Sequence, residues 1–174
     1  MKNLVDHLSQ YAAYHRDPRN IASHFVGIPL IVVAVAVLLS RPEWPVGALW
    51  ISPAVLVALA SAWFYLRLEL RLGLLMTGLM ALSVWAGHAL AQQSTLVWLG
   101  SGLAMFVIGW AIQFVGHHYE GRKPAFVDDL TGLIVGPLFV TVELAFMLGL
   151  RQGLKEQIEA RVGGVRVNPN RAAI

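Results

Sequence analysis

Six histidines stand in a chain of 174 residues that contains no cysteine. With thiolates absent, imidazole and carboxylate are the strong ligand types left for a transition metal. The N-terminal stretch carries His7, His15 and His24, with Tyr11 and Asn20 between them. A second group sits in QFVGHHYE at 113–120, which holds Gln113, His117, His118 and Glu120. Asn20 and His24 are four apart and share a helical face. His7, Tyr11 and His15 have the same spacing, expected on the polar side of a short amphipathic helix. Asp17-Pro18 is a helix-start signal, with Asp as cap and Pro at the first helical position. The turn before it can fold His15 back towards His24. On a continuing helix His117 and Glu120 face the same way, whereas His118 points about 100° from His117. Three imidazoles with carboxylates nearby suit Fe(II), Zn(II) or another borderline metal. There is no HExxH, EF-hand loop, GxSxG elbow or phosphate-cradling loop. A lone histidine at a membrane interface is ordinarily a polar anchor, and His7 and His88 are read that way. His118 is left as a ligand or a partner of one.

The elements that must position these residues are apolar. Hydrophobic residues make up 57% of the chain and charged ones 13%, about half the roughly 25% of soluble domains. A soluble globule of this size would leave much of that surface in water. The composition excludes disorder, collagen and a disulfide scaffold. The net charge of +3 is modest, and the basic residues form no stripe with aromatics, so no nucleic-acid partner is expected. Basic loops beside apolar runs fit an anionic membrane surface. Five stretches are long enough to cross or enter a bilayer: 21–40, 46–66, 72–91, 96–116 and 130–150. The expected fold is an all-α integral-membrane bundle, with four full spans, a fifth segment that either spans or re-enters, and the short N-terminal helix. Residues 1–174 form one membrane domain: a cytoplasmic segment at 1–20, the bundle at 21–150 and a cytoplasmic tail at 151–174. The first 20 residues lack the apolar core of a signal peptide and are expected in the mature protein.

Sidedness follows from the flanking charges. With the N-terminus inside, Lys2, Arg16, Arg19, Arg67, Arg71, Arg122 and Lys123 are all cytoplasmic, and Arg41 alone is outside. Arg151, Lys155, Arg161, Arg166 and Arg171 break the pattern if the fifth segment crosses. They obey it if that segment breaks at Gly136-Pro137 and returns. Glu143 is awkward in a lipid-facing span. This topology brings His15, His24 and His117 to one membrane face from positions far apart in sequence, which makes them a candidate metal site.

These residues also carry a resemblance. Tyr14-His15, Asn20, His24 and Gly27-Ile28-Pro29 resemble a YH…N…H..G.P signature. Gln113 to His117 with Glu120 and Pro124-Ala125 resemble a QF.GH…E…PA signature. Asp128-Asp129-Leu130 and Gly136-Pro137-Leu138 fit as well. Both belong to a small membrane family of Fe(II)-dependent 2-hydroxy fatty acid dioxygenases, whose fungal member acts in phytosphingosine breakdown in the endoplasmic reticulum. The resemblance implies oxidative one-carbon shortening of a 2-hydroxy fatty acid by molecular oxygen, a fatty acid α-oxidation, in contact with membrane lipid. The 2-hydroxy acid can chelate Fe(II) through its hydroxyl and one carboxylate oxygen. Membership places the protein in the inner membrane of a bacterium or the endoplasmic reticulum of a eukaryote, with its site on the cytoplasmic side.

On this reading His15, His24 and His117 are iron ligands, and His118 and Glu120 supply a fourth ligand or support. Asn20 and Gln113 orient ligands or substrate by hydrogen bonding. Arg122 and Lys123 attract the carboxylate. Two other classes use the same residues: a zinc-dependent membrane hydrolase, and a non-enzymatic lipid-binding protein whose histidines are interface anchors.

Overall fold

The structure, a computed structural model, describes residues 2–47 and 49–166; Arg171 lies outside them. Seven α-helices and one short hairpin account for most of these residues. Helix α1 is Leu4–Ala12 and α2 is Pro18–Leu38. The hairpin pairs β1, Trp44–Val46, antiparallel with β2, Leu49–Ile51. Then come α3, Pro53–Leu68, α4, Leu70–Ala91, and α5, Thr95–Glu120. A single 3-10 turn at Ala125–Val127 leads into α6, Thr131–Met147, and α7, Gln152–Val162.

Three helices, α2, α4 and α5, are long and apolar enough to cross a membrane. Their 21, 22 and 26 residues reach about 32–39 Å at about 1.5 Å each, against a hydrocarbon core of about 30 Å. The stretch expected at 46–66 differs. Its first residues form the hairpin, with Gly47 at φ 62° in the turn, and helix begins only at Pro53. The 16 residues of α3 reach about 24 Å.

The fifth stretch does not break where expected. Helix α6 runs through Pro137, as α2 runs through Pro29. The break comes later, where Gly149 (φ 75°) and Arg151 (φ 57°) take left-handed backbone. There the axes of α6 and α7 turn by 116°.

The chain forms two compact units. The first joins the N-terminal segment through Phe25 to the described residues from Ile112 onward. Within it α1 packs on both α6 and α7, burying Leu8, Val135, Leu138, Phe139, Val142, Leu154 and Ile158. An ion pair between Arg161 and Asp6 at 2.6 Å joins α7 to the start of α1. Asn3 and Asp6 cap α1 reciprocally. The helix ends at Ala12, so His15 lies in the following turn, and Tyr11 faces the core rather than the polar side expected for it.

The second unit is Val26–Ala111. Helices α3 and α4 form its tight pair, with Gly73 against the backbone of Leu66, where an added Cβ would lie 2.6 Å from Cα. Gly87, Gly102 and Gly109 also allow close contact, whereas Gly78 faces open space. Leu59, Trp63, Leu74, Trp85 and Val107 are largely exposed, an outer surface that needs hydrocarbon rather than water. Glu69 caps α4 by accepting the amides of Arg71 and Leu72. His88 stacks on Trp50 at 4.0 Å and pairs through Nδ1 with Glu43 at 2.6 Å.

Candidate metal centre

The first unit gathers three histidines from three places. His15 is held in the α1–α2 turn, where the amides of Tyr14 and His15 donate to the carbonyls of Tyr11 and Ala12. His24 lies on the second turn of α2. That helix is capped by Asp17, whose carbonyl accepts from the amide of Ile21 and whose carboxylate accepts from the amide of Arg19 at 2.8 Å. His117 lies in the last turn of α5, which extends past the expected end of the fourth apolar stretch. The ring centroids are 4.3 Å apart for His15 and His24, 4.9 Å for His15 and His117, and 5.1 Å for His24 and His117. One ring nitrogen from each lies within 4.8 Å of the others. All three residues are buried, at 0%, 1% and 6% exposure.

The hydrogen bonds decide the tautomers. His15 Nδ1 lies 2.7 Å from the carbonyl of Tyr11, and His24 Nδ1 lies 2.8 Å from the carbonyl of Asn20. A carbonyl only accepts, so both Nδ1 atoms carry the proton and both Nε2 atoms present lone pairs. Those two Nε2 atoms are 2.8 Å apart. His117 Nδ1 is buried without a hydrogen-bond partner. Lone pairs converging in a dry site repel unless a cation lies among them. Two ligands about 2.1 Å from one metal stand about 3.0–3.4 Å apart at octahedral or tetrahedral angles. The single quoted separation, 2.8 Å, is slightly shorter than this, and three neutral imidazole nitrogens within 4.8 Å of one another are a donor set that suits a single borderline ion. Burial pushes His15 well below the usual histidine range, and His24 and His117 push it the same way against the pull of the Tyr11 carbonyl. A neutral imidazole is the form that binds a metal.

Packing fixes the rings from outside. Tyr11 stacks on His15 at 4.2 Å with planes 4° apart, and Phe139 of α6 lies 5.0 Å from Tyr11 and 5.4 Å from His15. Burial keeps the Tyr11 phenol protonated well above its ordinary range. Close approach of α2 and α5 depends on Gly116. A Cβ there would collide with the Ser23 hydroxyl and lie 2.6 Å from Asn20 Oδ1. Phe139 was not singled out from sequence, Tyr11 was read only as part of the polar side of the first helix, and Gly116 only as part of the QF.GH signature. The signals were present in the four-residue step from Tyr11 to His15 and in the glycine immediately before His117.

The other expected site residues divide. Asn20 is fully buried. Its amide nitrogen donates to Tyr14 O at 3.2 Å and Glu120 Oε2 at 3.1 Å, and its Oδ1 has no partner. Gln113, one turn before His117, is buried with Nε2 unpartnered. Glu120 is buried too, but its Oε2 accepts the amides of Arg16 and Asp17 at 2.9 and 2.8 Å. His118 is exposed beside Tyr119, outside the cluster. Arg122 and Lys123 are exposed, the first donating to the Ala13 carbonyl at 3.0 Å and the second paired with Asp128 at 2.5 Å.

The family model described as "2-hydroxy-palmitic acid dioxygenase Mpo1-like" matches residues 1–148. The chain belongs to the Mpo1-like family. It is 32% identical over 159 residues to the 2-hydroxy-palmitic acid dioxygenase MPO1 of Saccharomyces cerevisiae, covering 90% of this chain and 88% of the yeast protein. No solved structure matches. All three clustered histidines lie inside the region that defines this Mpo1-like chain.

Proposed function

We propose that this protein is a non-haem, Fe(II)-dependent dioxygenase that shortens 2-hydroxy fatty acids by one carbon. The observation that carries this reading is the buried convergence of His15, His24 and His117, with the first two rings holding their protons on Nδ1 and turning Nε2 inward, in a chain whose family and yeast relative bear a dioxygenase's name. A ferrous ion held by the three imidazoles would supply the one-electron chemistry that lets molecular oxygen react with a closed-shell acid, the electrons that reduce oxygen coming from the substrate as its C1–C2 bond is broken. The rest of the work falls to the chain. The carbonyls of Tyr11 and Asn20 hold the rings in orientation. Gln113, with a buried donor to spare, and Asn20, with a buried acceptor, orient the polar head of the substrate. Phe139 and Tyr11 keep water from one side of the His15 ring. Arg122 and Lys123 draw the fatty carboxylate towards this end of the molecule. His118 serves from outside the cluster, as a surface residue rather than a fourth ligand.

For the membrane we propose four crossings, by α2, α3, α4 and α5, with the N-terminus and the metal centre on the cytoplasmic side and α6 re-entrant. Basic residues at the ends of these helices support the orientation. The packing of α7 on α1, with the Arg161–Asp6 pair, supports a tail that returns to the side of the N-terminus. The compartment is the inner membrane of a bacterium or the endoplasmic reticulum of a eukaryote.

The test is turnover of 2-hydroxypalmitate by purified protein with Fe(II), in air and under argon. The proposal expects a product one carbon shorter, formed only in air. Product formed equally without oxygen, or with Zn(II) in place of iron, would contradict the dioxygenase reading.

A further inference from the structure

Glu120 is the residue whose bonding departs furthest from a ligand's. Its side chain has 0% exposure. One oxygen, Oε2, takes three donors: the amides of Arg16 at 2.9 Å and Asp17 at 2.8 Å, and the Asn20 side chain at 3.1 Å. An oxygen so engaged has no lone pair left for a cation. The other oxygen, Oε1, has no hydrogen-bond partner and lies at ion-pair distance, 3.5 Å, from Arg166 Nη2. The carboxylate sits at the N-terminus of α2, where the helix dipole favours negative charge.

The tail completes the arrangement. The Arg166 amide donates to the Arg16 carbonyl at 2.8 Å. Arg16 Nε donates to the Gly164 carbonyl at 3.2 Å. Arg166 Nη1 reaches the Glu120 carbonyl at 3.5 Å. The peptide groups flanking Arg16 are thus held on both sides, its N–H by Glu120 and its C=O by the tail, one residue after His15. Glu120 is also three residues after His117 and bonds the start of the helix that carries His24.

We propose that Glu120 is a positioning residue. It is a carboxylate strut that ties together the three chain segments presenting the imidazoles, and Arg166 of the C-terminal tail locks it in place. This rests on the metal-site reading above. Charge-assisted hydrogen bonds to backbone amides are about twice as strong as neutral ones. Their loss frees the His15 turn while leaving every ligand in the sequence. Supporting groups of this kind typically change metal affinity by about 10–100-fold.

The experiment titrates Co(II) into the metal-free full chain in detergent for wild type, Glu120→Ala, Glu120→Gln and Arg166→Ala. Hydrogen–deuterium exchange is followed across residues 13–20. Glu120→Ala should bind Co(II) about 10–100-fold more weakly and exchange faster at Arg16 and Asp17. Glu120→Gln, which keeps one acceptor oxygen, should recover part of the loss. Arg166→Ala, on an exposed side chain, should shift both readouts in the same direction by less, and it carries the test if Glu120→Ala does not fold. At saturation the visible Co(II) spectrum of Glu120→Gln should match wild type. A changed spectrum would make Glu120 a ligand and overturn the proposal. So would wild-type affinity and exchange in both Glu120→Gln and Arg166→Ala. Failure of wild type itself to bind Co(II) would overturn the metal-site reading, while the exchange rates of the metal-free chains would still decide on the strut.

Discussion

The Nε2 atoms of His15 and His24 face each other at 2.8 Å, and neither has a proton to offer, because both rings donate from Nδ1 to backbone carbonyls. Two acceptors at hydrogen-bonding distance form a stable pair only when something positive joins them. The backbone of the α1–α2 turn and of the first turns of α2 commits both lone pairs to one point, an arrangement that could hold a metal ion.

That commitment predicts a pH dependence for the metal-free protein. Burial holds His15 neutral in the fold, well below the usual value of 6.5, whereas the unfolded chain takes up a proton as pH falls through about 6.5. The unfolded state therefore binds more protons, and stability falls as pH drops below that point. For His15 alone the slope approaches about 1.4 kcal/mol per pH unit. Thermal unfolding of the metal-stripped protein in detergent should show a Tm that declines from about pH 7 to about pH 5.5. A Tm that rises over this interval would mean that His15 is protonated in the fold.

Gly116→Ala tests how the imidazoles are brought together. The added methyl meets the Ser23 hydroxyl and Asn20 Oδ1, so the ends of α2 and α5 must separate and carry His117 from His24. Overpacking of this kind costs about 1–3 kcal/mol. Weaker Fe(II) binding, with helix content unchanged by circular dichroism, is the expected outcome. Gly78→Ala, which faces open space, is the control and should bind as wild type.

Phe139→Ala removes the wall behind Tyr11 and His15. Phe139 is 2% exposed, and truncating a buried phenylalanine costs about 3–5 kcal/mol. The measurement is the denaturation midpoint in detergent. A loss under about 1 kcal/mol would show that the site's packing does not depend on α6.

The side chains of Arg122 and Lys123 are exposed, the first donating to the Ala13 carbonyl and the second paired with Asp128. Their replacement by Gln together should raise KM for a 2-hydroxy fatty acid several-fold and leave kcat unchanged, with the difference shrinking as salt rises. An equal loss in kcat would place one of them at the reacting atoms.

The triad was legible in the sequence because two kinds of spacing agreed. Charge flanks put His15, His24 and His117 on one face, and the Asp17-Pro18 start signal put a turn where His15 needed one. The partners of Glu120 were not legible. Its three-residue step from His117 gives a shared helix face, but its donors lie about 100 residues away in a turn and a side chain. The late break after α6 was hidden because proline is tolerated inside apolar helices, whereas the left-handed backbone at Gly149 and Arg151 has no hydrophobic signature. Residues 46–51 read as the start of a span because their apolar content does not distinguish a strand from a helix at that length.

The most direct test of the account is iron per chain after anaerobic reconstitution, compared across His15→Ala, His24→Ala, His117→Ala, His118→Ala and His88→Ala. The account predicts one iron per chain in wild type, His118→Ala and His88→Ala, and almost none in the other three. Full iron in any of the first three variants, or its loss from His118→Ala, would contradict it.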